Sequence, residues 1–76
     1  MIDIQAIASG SSGNCYRVSD GSTALLLDAG IPIHQIQQGL DFRLSEIAGA
    51  LISHEHMDHA KAVPDLAKRG ILIFGP

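Results

Sequence analysis

The chain has 76 residues, which is enough for one small domain. Its formal net charge is -3 with histidine neutral, and its five lysines and arginines are scattered, which argues against a stand-alone nucleic-acid-binding protein. The single cysteine excludes a disulfide bond within the chain.

The chain is less polar than its small size predicts. Charged residues make up 17% of the sequence, where about 25% is typical of a globular domain. A small domain has more surface per residue and should be more polar than average. We therefore expect part of its surface to pack inside something larger.

The N-terminus shows no targeting signal. Residues 1–4 contain no basic region and lead into no long apolar core, so they do not form a signal peptide. No apolar run approaches the ~18 residues that a membrane-spanning helix needs. These features predict a cytoplasmic protein with no membrane partner.

The first part of the chain is predicted to form three strands. Residues 2–7 alternate apolar and polar, which is typical of a half-buried strand, and residues 10–14 are turn formers. Residues 15–18 form the second strand, and Asp20-Gly21 indicates a hairpin leading to residues 23–27. This third run is apolar without alternation, which predicts cover on both faces.

The second part is predicted to alternate helices and strands. Pro32 can begin a helix in which Ile33, Ile36 and Leu40 have helical spacing, and a short helix over residues 44–47 precedes an apolar strand at 48–52.

A further helix is expected to begin at Pro64 and end at Arg69, with Gly70 just beyond its end. Residues 71–74 form one more apolar strand. Three apolar strands need cover on both faces, and two short helices cannot supply it, which is a second indication of missing partner surface.

A cluster of histidines follows the strand at 48–52. The pattern is His54-x-His56-x-Asp58-His59, and its imidazole and carboxylate groups suit Zn²⁺, and also Fe or Mn. In extended backbone His54 and His56 point the same way and can reach one ion. Asp58 and His59 can face a second position, so the spacing predicts two half-sites.

One other interpretation of the cluster is open, and a second is rejected. Asp58 could simply cap a helix at the end of a polar loop. His54-Glu55 also begins like the helical His-Glu-x-x-His zinc motif, but position 58 is Asp, and the strand-like run before His54 argues against a helix there.

This pattern after an apolar strand resembles the signature of the metallo-β-lactamase superfamily. Leu27-Asp28-Ala29-Gly30 matches that family's strand-end aspartate motif. Gly10-Ser11-Ser12-Gly13-Asn14 is similar to the N-terminal motif of one branch, the bacterial and phage proteins related to the cell-wall-regulon-associated exonuclease. The resemblance covers essentially the whole chain.

The resemblance implies the fold and the roles of the residues. It implies an α/β (α+β) chain that forms the N-terminal portion of an αββα sandwich, with about five strands and two short helices, and residues 1–76 as a single partial domain. His54 and His56 would bind metal 1, and Asp58 and His59 would bind metal 2. Asp28 would hold the metal loop in place.

The resemblance also implies a chemistry. Two Zn²⁺ ions, with Mn²⁺ or Fe as possible replacements, would share a hydroxide that attacks a phosphodiester or acyl centre, and Asp58 would orient it as the catalytic residue. The branch points to a phosphodiesterase or nuclease acting on DNA or another phosphodiester.

The family's remaining ligands lie downstream of the matched region. Each ion therefore keeps two ligands here, whereas catalytic zinc generally has three plus water. His34 matches no motif and is interpreted as a surface or structural residue. We expect an N-terminal segment that needs a missing C-terminal half of the domain or a partner chain. The alternative is a non-catalytic metal-binding or interaction module that is complete at 76 residues and assembles through strand edges.

Two neighbouring features have simpler interpretations. The backbone N–H groups of residues 10–14 could face a phosphate, although a plain turn is the simpler explanation of the composition. Cys15 is expected to be a small buried thiol, because no His–Asp pair that could activate it is recognisable.

Overall fold

A computed structural model describes residues 1–10, 13–53 and 60–75 of the chain. They form one five-stranded sheet with strand order β1-β2-β3-β4-β5. The strands are β1 (Asp3–Ala8), β2 (Cys15–Ser19), β3 (Ala24–Leu27), β4 (Ile47–Leu51) and β5 (Leu72–Phe74). The β1–β2 and β2–β3 pairs are antiparallel, whereas β3–β4 and β4–β5 are parallel.

The hairpin predicted at Asp20-Gly21 is confirmed. The Asp20 carboxylate accepts hydrogen bonds from the backbone N–H groups of Ser22, at 2.9 Å, and Thr23, at 2.7 Å. Gly21 takes a positive φ of 97°, which costs glycine little. The bonds from Ser22 and Thr23 stabilise the carboxylate and so lower the pKa of Asp20.

The helices occupy the two parallel crossovers. They are α1 (Ile33–Gly39), a 3-10 turn (Leu44–Glu46) and α2 (Val63–Lys68). Pro32 precedes α1 as expected, and Gly70 has a φ of 79° just after α2. Pro64 is the second residue of α2 rather than the predicted first, a position that still requires no N–H partner.

The core lies between the sheet and these helices. Leu26 of β3, Ile36 of α1 and Leu66 of α2 are fully buried in it. The two helices pack on the same face of the sheet, because Ile36 of α1 and Leu66 of α2 share one buried cluster with Leu26. No helix in the described part of the chain is long and apolar enough to span a bilayer.

The opposite face of the sheet is apolar and uncovered. The pairing registers align two rows of residues that cross all five strands, and we call them the open face. It consists of Ile4, Val18, Leu25, Gly49 and Leu72 in one row and Ala6, Tyr16, Leu27, Leu51 and Phe74 in the other. Neither row contains a charged residue. Leu72 is 63% exposed and Phe74 is 50% exposed.

One expectation about burial was wrong and another agrees with the structure. The run at residues 2–7 was expected to be half-buried, but Ile2 and Ile4 are 61% and 69% exposed. The runs that became β3 and β4 were expected to need cover that two short helices cannot supply, and Leu27 and Leu51 are exposed accordingly. The reason is the same in both cases, since the helices cover only one face of the sheet.

The two faces should respond differently to truncation. We expect Leu26→Ala to lower the free energy of unfolding by about 2–5 kcal/mol, because it opens a cavity in the core. Leu72→Ala removes a similar volume from an exposed site and should cost less than about 1 kcal/mol. Urea unfolding at low protein concentration measures both values. An equal cost for the two variants would contradict the exposure of the open face.

Candidate metal centre

The site is built where β3 and β4 end. Because these strands are parallel, their carboxyl ends lie side by side at one edge of the sheet, which is where ligands bind in open α/β sheets. Asp28 follows β3, and its N–H donates to the carbonyl of Leu51, the last residue of β4, at 2.7 Å. Asp28 has a φ of 65°, so the chain turns sharply directly after β3.

The Asp28 carboxylate binds Ser53. Its Oδ1 accepts hydrogen bonds from the Ser53 backbone N–H at 2.8 Å and from the Ser53 hydroxyl at 3.0 Å, and the hydroxyl also lies 3.0 Å from Oδ2. Asp28 is only 6% exposed. A buried carboxylate needs such partners, because an unpaired one would be costly to bury.

The next residue, Ala29, is hydrogen-bonded to the part of the chain that follows the histidine cluster in sequence. Its carbonyl accepts a hydrogen bond from the N–H of Ala62 at 2.8 Å. Ala29 and Ala62 are fully buried, so this bond is shielded from water. The turn at residues 28–30 is thus bonded to the chain both before and after residues 54–59.

The predicted ligands lie in that bracketed stretch, which we call the ligand segment (residues 54–59). All four, His54, His56, Asp58 and His59, and with them the catalytic role predicted for Asp58, fall outside the residues that the structure describes. Within residues 1–10, 13–53 and 60–75 there is no group of three or more side chains that could hold a metal ion.

The glycine-rich run contacts the same turn. The N–H of Gly30 donates to the carbonyl of Asn14 at 2.9 Å. A Cβ on Gly13 would overlap the Gly30 carbonyl oxygen and lie 2.8 Å from Cγ2 of Ile31. The close approach of these two backbones therefore requires glycine at position 13.

Cys15 is buried beside this turn and is not activated. Burial, with a smaller contribution from the Asp28 carboxylate, raises the pKa of its thiol to about 12. A nucleophilic cysteine needs the opposite, a lowered pKa. The structure therefore agrees with the interpretation of Cys15 as a buried, unreactive thiol.

Some of these residues had no role in the sequence-based prediction. The sequence gives only a weak indication of the role of Ser53, which is a small polar residue directly before the first histidine. It gives no indication of the Ala29–Ala62 bond, because both partners are backbone atoms. Asn14 was assigned to a turn and to the branch motif but to no contact, and its contact with Gly30 depends on how the first strands pair.

The raised pKa of Cys15 predicts a pH dependence of stability. The thiol ionises near its ordinary pKa only when the chain unfolds, so stability is fully present below about pH 8 and declines as the pH rises toward 12. Between about pH 8 and pH 10 the wild-type free energy of unfolding should fall by about 1 kcal/mol more than that of Cys15→Ala. Urea unfolding across this range measures the difference, and parallel curves would contradict it.

Comparisons with known proteins identify relatives over most of the chain. The model of the metallo-beta-lactamase superfamily matches residues 8–73. Exodeoxyribonuclease YycJ of Bacillus anthracis is 31% identical over 71 residues, which are 90% of this chain and 27% of that protein. Exodeoxyribonuclease WalJ of Streptococcus pneumoniae is 35% identical over 66 residues, which are 83% of this chain and 24% of that protein.

Two further matches extend the range of relatives. Endoribonuclease YSH1 of Kluyveromyces lactis is 40% identical over 63 residues, 74% of this chain and 8% of that protein. The crystal structure of the metallo-beta-lactamase fold protein YhfI from Bacillus subtilis has a TM-score of 0.76. That match covers 97% of this chain and 36% of YhfI at 19% identity, a likeness that shows the fold alone.

The chain spans about a quarter of the two exodeoxyribonucleases. The family match nevertheless covers β2, β3, β4, both helices and most of β5. The fold predicted from the sequence, an α+β portion of the metallo-β-lactamase architecture, is confirmed, and the described residues form the expected five strands and two short helices. The chain belongs to the metallo-beta-lactamase superfamily.

Proposed function

We propose that the chain is the N-terminal segment of a metal-dependent hydrolase that cleaves phosphodiesters, most simply a nuclease. One observation carries this proposal. The turn at residues 28–30 is bonded to Ser53 and Ala62, the residues that bracket the His-x-His-x-Asp-His pattern. The residues on either side of a stretch rich in metal-binding side chains are thus held beside the carboxyl ends of the parallel strands β3 and β4.

The ligand types fit a pair of metal ions. Three imidazoles and one carboxylate are donors suited to Zn²⁺, with Mn²⁺ or Fe as alternatives. We assign His54 and His56 to one ion, and Asp58 and His59 to the other. When bound, such ions lower the pKa of water and stabilise the charge that develops during hydrolysis. Asp58 would also orient the attacking water.

Asp28 would support this arrangement without binding a metal ion itself. Its carboxylate fixes the N–H and hydroxyl of Ser53, the residue covalently attached to His54. Outer partners of this kind restrict the positions that metal ligands can take and are worth about 10–100-fold in metal affinity. Because Asp28 is buried, little water competes with Ser53 for its carboxylate.

The substrate class follows from the relatives. Two of them are named exodeoxyribonucleases and one an endoribonuclease, so their substrates are nucleic acids. We infer DNA or another phosphodiester as the substrate here. With a net charge of -3, this chain offers little electrostatic attraction for phosphates. Metal ions and the remainder of the protein would have to supply that attraction.

We infer that residues 1–76 are one partial domain and that further protein completes it. Two ligands per ion are fewer than the three that catalytic zinc usually has. The open face offers an apolar surface that a second sheet could cover, as in two-sheet sandwiches. The missing half of the domain, or a partner chain, would provide both.

We place the protein in the cytoplasm, where a lone cysteine stays reduced.

Metal affinity tests the assignment of the ligands. We expect the chain to bind Zn²⁺ in a calorimetric titration, and His56→Ala to weaken binding by at least about tenfold, because one ion keeps a single ligand. His34→Ala is the matched control, since His34 is a histidine on α1 outside the motif. Equal weakening by both substitutions, or no binding by the wild type, would contradict the proposal.

Turnover tests whether the chain is sufficient. We expect the isolated chain to leave a chromogenic phosphodiester uncleaved in Zn²⁺ or Mn²⁺, because its ions would lack ligands. Absorbance of the released phenolate measures the reaction. Turnover that disappears in His56→Ala but persists in His34→Ala would show that this chain, or an oligomer of it, completes the site without further protein.

A further inference from the structure

We propose that Asn14 is a positioning residue for the ligand segment. It acts through the turn at residues 28–30 and would set the affinity and geometry of the metal site without touching a metal ion. This inference rests on the proposed function, because it assumes that residues 54–59 bind metal.

The side chain of Asn14 bonds to the backbone of Gly10 in both directions. Its Nδ2 donates to the carbonyl of Gly10 at 3.2 Å, and its Oδ1 accepts from the N–H of Gly10 at 3.2 Å. Gly10 has a φ of 141° and Gly13 a φ of 152°, values that side chains disfavour. Together these two hydrogen bonds restrain the distance between Gly10 and Asn14. They thereby restrain the direction of the Asn14 backbone.

That backbone is the part that contacts the turn. The Asn14 carbonyl accepts the N–H of Gly30 at 2.9 Å, and Gly13 lies directly against the Gly30 carbonyl. The glycine-rich run therefore packs against the turn without an intervening side chain. A shift of Asn14 would be passed directly to Gly30.

The same turn holds residues on both sides of the ligand segment. Asp28 binds Ser53, and Ala29 binds Ala62, so three consecutive residues, 28, 29 and 30, anchor three different parts of the chain. None of the three residues can move without straining the bonds of the other two. Asn14 is consequently coupled to Ser53 and Ala62 although they are distant in sequence.

Asp20 provides a matched control at the other end of the sheet. Its side chain also fixes a short connection, by accepting from Ser22 and Thr23. That connection joins the end of β2 to the start of β3, whereas Asn14 precedes β2 and Asp28 follows β3. Asp20→Ala removes the hydrogen bonds that order this connection and should lower the free energy of unfolding. It should leave the metal site unchanged.

The experiment uses Co²⁺ as the probe, because its visible absorption reports both binding and coordination geometry. We expect Asn14→Ala to weaken Co²⁺ binding by about tenfold and to change the absorption spectrum at saturation, while Asp20→Ala changes neither. Urea unfolding without metal gives the stability of each variant. Asn14→Ser, which keeps a small polar residue but cannot make both bonds to Gly10, should behave like Asn14→Ala and replaces it if that variant does not fold.

The outcomes separate this inference from the proposed function. If the wild type binds no Co²⁺, the assignment of the ligands in the proposed function fails and the inference fails with it. If the wild type binds and both the affinity and the spectrum of the folded Asn14 variant match it, the inference alone is overturned. The inference is also overturned if Asp20→Ala weakens binding as much, because the effect would then come from stability and not from position.

Discussion

The hydrogen bonds between the Asp28 carboxylate and Ser53 are the interaction on which the site depends. They join Asp28 and Ser53, which follow the ends of two parallel strands and are 25 residues apart in sequence. The carboxylate is buried, so its bonds to Ser53 compete with little water. The positive φ of Asp28 costs about 1 kcal/mol or more, a local strain that the surrounding bonds offset. Strain of this kind persists where the structure over-determines the conformation, which is the case here.

The two faces of the sheet have different roles. The helix face forms the core of the described chain through Leu26, Ile36 and Leu66. A core in a chain of this size rarely supplies more than about 3–5 kcal/mol of stability. The open face remains apolar across all five strands, and an apolar patch of this extent is typical of a surface that meets another protein surface. Its presence accounts for the low charged fraction of the sequence.

Local features of the fold could be predicted from the sequence, and relations between distant segments could not. The hairpin follows from Asp20-Gly21, and the start of α1 follows from Pro32. The alternation around Ile4 correctly indicates which residues share a face, but no local pattern reveals whether anything covers that face. The prediction of a half-buried first strand was wrong for this reason.

The same distinction between local features and distant relations applies to the candidate site. Asp28 could be identified because it follows an apolar strand within a known motif, and the structure adds the partner that it binds. The pairing of Asp28 with Ser53 requires the parallel register of β3 and β4, which the sequence does not specify. The bond from Ala62 to Ala29 joins two backbone groups and has no signature in side chains. The four ligands themselves remain predictions from their spacing and chemistry.

The position of Asp28 and Ser53 bears on how the proposed metal site could be completed by further protein. Asp28 and Ser53 lie at the ends of strands, beyond the edge of the sheet, and not on its open face. A second sheet packed on the open face would be about 10 Å away, with its strand ends near the same edge. Ligands carried at those ends would approach the ligand segment without displacing Asp28 or its bonds. Completion of the fold and completion of the metal site are therefore expected to be one event.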